Sequence, residues 1–222
     1  MVTSSEHPCF TTVEHLIQES LLPWGITDSA ILNAFRIVPR EYFLPSELRP
    51  RAYENSALPI GHGQTISQPL IIAIMLNELK CTKRCRVLEI GGGSGYQAAL
   101  LSVLVKEVLS VERIEPLARQ AESLLKSLGI SNVRFIVADG SVGYPDESPY
   151  DRIMVSCAAP QIPAPLTSQL AMGGRLVVPV GGRSKQTLLV VSRTESGLAT
   201  EERGPCIFVP LIGAEGWPEG TS

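Results

Sequence analysis

One stretch limits the fold of this chain more than any other: Arg86 to Gln97, which reads RVLEIGGGSGYQ. Val87-Leu88-Glu89-Ile90 is a short apolar run of the kind a buried strand shows. It runs straight into Gly91-Gly92-Gly93-Ser94-Gly95, and an apolar segment of helical character, Ala98 to Val105, follows. Strand, glycine turn and helix in succession form the first unit of a nucleotide-binding α/β fold. Glycine lets the backbone approach a ligand where a Cβ would collide. The helix start beyond it adds unpaired N–H groups.

The spacing narrows the ligand. Gly91, Gly93 and Gly95 give G-x-G-x-G, whereas the dinucleotide fingerprint puts its third glycine one position later, where this chain has Tyr96. No Lys-Ser or Lys-Thr pair follows, which excludes a phosphate-clamping P-loop. A compact adenosyl ligand without phosphates fits better, and S-adenosylmethionine is the foremost candidate. A tight strand-to-helix turn that holds no ligand is the plainer alternative.

The flanking chain reads as alternating strands and helices. Thr11 and Glu14 suggest a capping box, followed by Val13, Leu16, Ile17 and Leu21 at helical spacing up to Pro23 and Gly25. Asp28 caps a second helix with Ile31, Leu32 and Phe35 on one face, stopped by Pro39. Pro45 to Ser67 lacks a period but carries Tyr53, Leu58, Ile60 and Ile66, so it reads as an ordered loop closing over a site. Pro69 suits the first position of a helix running to Leu79, with Ser67 or Gln68 as its N-cap. Strands are expected at 108–112, 133–138, 150–156, 175–180, 188–192 and 207–211, and helices at 115–128 and 166–172.

This pattern predicts an α/β fold: a Rossmann-like, doubly wound, mostly parallel seven-stranded sheet with an antiparallel C-terminal strand and extra N-terminal helices. A single domain is expected over residues 1–217. It divides into an N-terminal helical part (1–50), an active-site loop (51–69) and the Rossmann-like core (70–217), followed by a tail (218–222).

Composition bears on partners. The 222 residues are 44% apolar and 18% charged, which is globular rather than disordered. The net charge of −3, with no basic run, argues against a nucleic-acid partner. No stretch reaches the length of a membrane span, and the start lacks a signal pattern. The five scattered cysteines suggest reduced thiols, and so a cytoplasmic protein; a monomer is expected. Cys81 and Cys85 form C-x3-C, but no second Cys or His cluster completes a metal site.

In an open α/β sheet the ligand lies beyond the carboxyl ends of the strands. Glu112 falls there, where a ribose diol would lie. Asp139 could accept from an adenine amino group, and Glu89 stands near the mouth of the glycine loop. Each alone could be a solvated strand-end carboxylate. The fourth strand ends in Ser156-Cys157-Ala158-Ala159-Pro160 rather than the Asn/Asp-Pro-Pro-aromatic motif of amine methylation. Cys157 as a nucleophile toward a pyrimidine is a weak alternative, given the missing basic surface. His62 is the only histidine near this region, so general-base chemistry has little material. A carboxylate acceptor needs no base, because its pKa is near ~4. It needs alignment and desolvation. Ser67, at a helix start, could hold it, although a plain capping serine is the simpler reading.

These residues resemble the protein-L-isoaspartate O-methyltransferase family. The resemblance covers the chain from about the first helix to Trp217. It rests on Tyr53-Glu54, Leu58-Pro59-Ile60-Gly61, Gly63-Gln64-Thr65-Ile66-Ser67, Val87 to Gln97, Val111-Glu112-Arg113, Asn132-Val133 and Asp139-Gly140. It extends through Pro179-Val180-Gly181, Phe208-Val209-Pro210-Leu211 and Gly216-Trp217. The resemblance implies methyl transfer from S-adenosylmethionine to the free α-carboxylate of an L-isoaspartyl residue in damaged peptides and proteins, starting repair through a succinimide. It implies Ser67 as the catalytic serine. It implies Gln64, Thr65, Ile66, Ser67, Glu89, Gly91, Gly93, Gly95, Glu112, Arg113, Asp139 and Gly140 around the cofactor. Ile60, Ser67, Val209 and Leu211 would bind the substrate peptide, the last two from a strand over 208–211. Three positions depart from the family pattern: Gly92 stands where Thr or Ser is usual, Leu70-Ile71-Ile72 lacks histidines some members carry, and Cys206 replaces an often basic residue. The readings left open are a methyltransferase for a small molecule or RNA, an NAD-dependent oxidoreductase, and a non-catalytic member that binds S-adenosylmethionine and a partner.

Overall fold

The computed structural model describes residues 12–220. Thr12 caps the first helix, its hydroxyl accepting from the His15 N–H at 3.2 Å; the expected cap Thr11 lies outside the described residues. Helix α1 (Val13–Leu16) continues through one wide π turn and a tight 3₁₀ turn, and Gly25 ends it in the left-handed region at φ 78°. Asp28 caps α2 (Ser29–Ile37) through the Ala30 N–H at 2.8 Å, and Ile31, Leu32, Ala34 and Phe35 form its buried face.

The stretch from Pro45 to Ser67 departs from the expected loop. It holds a 3₁₀ segment over Ser46–Arg51 and an antiparallel hairpin, β1 (Leu58–Gly61) with β2 (Gln64–Ile66). Its turn residues His62 and Gly63 both have positive φ, 53° and 68°, as a two-residue hairpin turn requires. Strands of four and three residues are too short for alternation to register in a sequence.

Helix α3 (Pro69–Leu79) follows with Gln68 as N-cap, so Ser67 stands one residue outside the helix. Then come β3 (Arg86–Ile90), α4 (Tyr96–Leu104), β4 (Glu107–Glu112), α5 (Glu115–Ser127), β5 (Val133–Val137) and β6 (Tyr150–Val155). Helix α6 (Ala164–Ser168), β7 (Leu170–Gly181), β8 (Gln186–Thr194) and β9 (Gly197–Cys206) follow. The seven-stranded sheet has the order β5-β4-β3-β6-β7-β8-β9. It is parallel from β5 to β7, and β8 pairs antiparallel with both β7 and β9.

Two expected elements are corrected. The helix over 166–172 is only Ala164–Ser168, and Leu170 already pairs with Tyr150 in the sheet. Gly173, at φ 73°, and Gly174 belong to an irregularity in β7 instead of a helix stop. A glycine pair serves either purpose, and only tertiary pairing decides. The last strand lies at Gly197–Cys206, not at 207–211. Residues 197–203 are all exposed on this sheet edge, so no apolar alternation marks them. Residues 207–211 instead cross the carboxyl ends of the strands. Ala158 N–H donates to Val209 O, and Leu211 N–H to Ala158 O, both at 2.8 Å.

The core lies on both faces of the sheet. On one face Leu16, Phe35, Ile72, Met75 and Leu100 pack on Val87 and Val108; on the other, Leu166 and Leu170 meet Leu88, Ile90 and Ile153. Burial on both faces explains why the parallel strands read as near-continuous apolar runs. The N-terminal part grips the helix behind the glycine turn. Phe35 and Phe43 meet the Tyr96 ring edge-on at 6.4 and 5.3 Å, and the buried Arg40 guanidinium lies 5.1 Å from its centroid. Burial lowers Arg40 to about 10, against the raising influence of Tyr96 and Tyr53. Glu78 of α3 pairs with Arg175 of β7 and Arg203 of β9, at 3.4 and 2.8 Å.

Candidate active site

The glycine turn sits at the carboxyl end of β3, where the Gly91 N–H donates to Val111 O at 2.8 Å. Gly91 and Gly93 take φ values of 83° and 52°, a region L side chains rarely adopt. Gly92 is constrained by space: a Cβ there would collide with Ser110 Oγ and come within 2.8 Å of Phe135 Cε1. The Ser110 hydroxyl donates to Glu89 Oε2 at 2.5 Å, and Glu89 Oε1 has no partner. Glu89 is fully buried beneath the turn. Burial pushes its carboxyl up to about 7; the Ser110 bond pulls it down and the Glu112 charge raises it further.

Glu112 ends β4 with its carboxylate drawn under the turn. Oε2 accepts from the Gly93 N–H at 3.0 Å and Oε1 from the Ile114 N–H at 2.8 Å. Both oxygens keep spare lone pairs for a diol. Arg113 is beside it and pairs with Glu219 at 3.2 Å. Asp139 has a different commitment. Oδ1 accepts from the Ser141 N–H and hydroxyl at 2.8 and 2.7 Å, and Oδ2 from the Ala214 N–H at 2.8 Å. Ser141 Oγ in turn accepts from the Glu215 N–H at 2.9 Å. Asp139 therefore latches the segment around 213–215 to the end of β5.

Two cavities open at this edge of the sheet. The first, about 560 Å³ including its open mouth, is lined by Gln64, Thr65, Gly91, Gly93, Glu112, Arg113 and Gly140, with Val209 and Leu211 on the far wall. The second, about 1580 Å³ including its open mouth, is lined by Ser67, Gln68, Ile71, Lys185, Cys206 and Phe208. Thr65, Ser156 and Val209 line both, so the cavities adjoin across these three residues. A further cavity of about 580 Å³, open solvent included, lies at the amino ends of β3, β4 and β5, on the opposite edge. It is lined by charges that pair with one another, such as Arg86 with Glu107.

Most of the expected site residues meet here, but not all. Ser67 faces the second cavity and the glycine turn the first, as a donor and an acceptor in adjoining pockets require. Ile66 is buried in the core, Gly95 caps α4, and Glu89 and Asp139 serve the walls from behind. Ile60 faces a separate groove with Tyr42 and Leu117. Leu70 and Ile72 are buried among core residues, while Ile71 reaches the second cavity, so the departures in α3 fall on two packing positions and one lining position. Cys157, fully packed beside Gly91, has its thiol raised far above the ordinary range by burial first and the Glu112 charge second. A protonated thiol is a poor nucleophile, which weakens the pyrimidine reading.

Sequence reasoning quoted Ser156 in the strand-end motif without giving it a role, and did not consider Lys185. Ser156 could have been found, because it is the first residue beyond β6, at the edge where ligands gather. Lys185 stands in a turn between β7 and β8, which carries no pattern of its own.

The arrangement fits a sulfonium donor and an anionic acceptor. The glycine cradle admits close backbone approach, and Glu112 adds an acceptor. Among the described residues the second cavity is lined by no histidine and no acid, and its titratable members are Lys185 and Cys206. Burial raises Cys206 to about 11, so it offers no base at neutral pH. Among the described residues no group of acids, histidines and cysteines could hold a metal, and no helix is long and apolar enough to cross a membrane.

Comparison with known proteins agrees with this geometry. The family model for protein-L-isoaspartate(D-aspartate) O-methyltransferase matches residues 11–216. The chain is 48% identical over 205 residues to a protein-L-isoaspartate O-methyltransferase of Trichlorobacter lovleyi, covering 92% of this chain and 94% of that one. It is 52% identical over 206 residues to protein-L-isoaspartate O-methyltransferase 2 of Pelobacter propionicus, covering 92% of each. A solved protein-L-isoaspartate O-methyltransferase superposes with a TM-score of 0.80 at 32% identity, over 92% of this chain and 67% of that chain. A Plasmodium falciparum protein solved with S-adenosyl-L-homocysteine shares the fold, with a TM-score of 0.76 at 24% identity over 89% of this chain and 96% of its own.

Proposed function

Since the chain belongs to the protein-L-isoaspartate(D-aspartate) O-methyltransferase family, we propose that it methylates the free α-carboxylate of L-isoaspartyl residues in proteins and peptides. The ester then lets the following backbone amide close a succinimide, whose hydrolysis restores some normal linkage. The observation that carries the reading is the pair of adjoining cavities, one built on the glycine turn and the other holding Ser67 with no acid or histidine among the described residues of its wall.

S-adenosylmethionine, held by the first cavity, supplies an electrophilic methyl on a positively charged sulfur. The chain's own residues do the rest. Gly91 and Gly93 allow backbone contact with the donor, Glu112 takes the ribose hydroxyls, and Gln64 and Thr65 close the wall from the hairpin. Ser67 donates a hydrogen bond to the acceptor carboxylate. The carboxylate is already ionised, so no proton has to move; alignment and exclusion of water are the protein's contribution. Lys185 at the mouth attracts an acidic segment. Val209 faces the peptide cavity from an extended segment instead of a strand, whereas the Leu211 backbone is already held, its N–H donating to Ala158 O and its O accepting from the Trp217 N–H. One chain lines both cavities, so a monomer suffices. Free thiols at Cys81, Cys85, Cys157 and Cys206 suit the reducing cytoplasm.

The test offers labelled donor to paired peptides that differ only in Asp or isoAsp linkage, using wild type and Ser67→Ala. The expected result is transfer to the isoAsp peptide alone, with Ser67→Ala keeping donor affinity and losing at least about tenfold in kcat/KM. Transfer to both peptides, or to neither, contradicts the assignment; an undiminished Ser67→Ala removes Ser67 from its role.

A further inference from the structure

The wall between the two cavities contains one side chain whose chemistry is unanswered. Of the three residues that line both, Val209 is apolar and Thr65 is exposed on the hairpin. Ser156 is 8% exposed, and its Oγ has no hydrogen-bond partner. Its backbone is held firmly: the N–H donates to Ile90 O at 2.8 Å. Its Cβ lies 3.8 Å from where a side chain on Gly91 would begin, so it packs against the glycine turn itself. A buried hydroxyl without a partner is destabilising, and native structures retain few of them without a reason. Here the residue that carries the hydroxyl stands between the two cavities.

We infer that Ser156 is a second carboxylate-binding residue, which donates a hydrogen bond to the isoaspartyl α-carboxylate opposite Ser67. This rests on the function proposed above. A sulfonium cation accepts no hydrogen bond, so the donor's reacting end cannot be the missing partner. An arriving carboxylate has two oxygens and several lone pairs. Ser67 approaches from the segment joining β2 to α3, and Ser156 from the end of β6. Two hydroxyls from different walls fix the plane of the carboxylate and leave a lone pair on one oxygen directed at the methyl. In the transfer, that oxygen forms a bond to the methyl carbon as the sulfur–carbon bond breaks. The bonding pair stays on sulfur, which leaves as a neutral thioether, and no proton is gained or lost. Hydrogen bonding by two serines slightly weakens the nucleophile, but correct placement of an otherwise free side-chain terminus is the larger effect.

Ser156→Ala, Ser156→Thr and Ser156→Val are compared with wild type by three readouts. These are calorimetric affinity for S-adenosylhomocysteine, calorimetric affinity of the S-adenosylhomocysteine-loaded enzyme for an isoAsp peptide, and kcat/KM for that peptide. The expected result is S-adenosylhomocysteine affinity within about twofold for all four proteins, with peptide affinity and kcat/KM reduced about tenfold or more in the Ala and Val variants. The Thr variant, which restores the hydroxyl, recovers to within about threefold of wild type. Val matches Thr in shape and lacks the donor, so a packing role would not separate the two. Unchanged peptide affinity in Ser156→Ala overturns the inference, as does a parallel loss of S-adenosylhomocysteine affinity, which would move Ser156 to the donor side. Equal behaviour of Thr and Val overturns it as well. Wild type that methylates the isoAsp peptide beside an unimpaired Ala variant sinks this inference alone; inert wild type sinks the function with it.

Discussion

Gly92 shows how a single residue can be decided by its neighbours. A side chain at this position would run into Ser110 Oγ and Phe135, and its Cβ would stand 3.5 Å from Glu89 Oε2. The Ser110 hydroxyl already bonds Glu89 Oε2, the oxygen nearest that Cβ, while Oε1 stays unpartnered. Gly92→Ser is therefore expected to lose about 1–3 kcal/mol of stability by overpacking. Adding Ser110→Ala should recover part of that loss, because the new hydroxyl can serve Glu89. Denaturant titration of both single variants and the double variant checks this; strictly additive losses, or a stable Gly92→Ser, contradict it. Asp139 makes a second residue-scale case. Burial alone would raise its carboxyl, but the bonds from the Ala214 N–H and from Ser141 outweigh that and hold it below the usual carboxylate range. Its folded pKa is depressed, so its contribution is fully present above the unfolded value near ~3.9 and is lost as pH falls through the lower folded value. Asp139→Asn should cost about 1 kcal/mol at neutral pH and progressively less below about pH 4. A gap that persists unchanged in acid would contradict the latch. The sequence placed Asp139 correctly at a strand end, but its bonding to residues 213–215 depends on how the chain returns, which spacing does not reveal.

At the scale of elements, legibility followed the strength of local periodicity. The β3–turn–α4 unit could be read because an apolar run, a glycine cluster and a helical stretch occur together. The parallel strands could be read because both faces are buried. The edge strand β9 could not, since its residues 197–203 face solvent and its position is dictated by pairing with β8. The apolar residues 207–211 took its place in the sequence reading because their composition reads as a strand, although only Phe208 and Leu211 are buried and the segment bonds to Ala158 instead of a sheet neighbour. What fixes that segment is Gln186, the first residue of β8 and 1% exposed. Its Oε1 accepts from the Phe208 N–H at 2.8 Å, and its Nε2 donates to Gly182 O and Arg183 O at 2.6 and 3.1 Å. Gln186→Leu leaves these groups unpaired, which should lower stability by about 1–3 kcal/mol and raise the peptide KM more than it weakens donor binding. Urea unfolding and initial-rate kinetics check this; a variant with wild-type stability and KM contradicts the role.

The whole molecule places two pockets side by side by topology. The strand order β5-β4-β3-β6-β7 brings the ends of β3, β4 and β6 together at the glycine turn. The hairpin before α3 and the return of the chain after β9 wall off the second space. A modest net charge of −3 is compatible with the proposed partner, recognised through its backbone and one carboxylate. The general architecture was legible because alternating elements allow few arrangements. The hairpin and the crossing segment were not, because both depend on contacts made far along the chain. The central claim is chemical: the acceptor is a carboxylate oxygen. It is tested most directly by labelling an isoAsp peptide with the enzyme's donor, raising the pH, and measuring volatile label. The account predicts that nearly all of the incorporated methyl leaves as methanol, as an ester must. Label that stays on the peptide in base would mean methylation at nitrogen or carbon, and would contradict it.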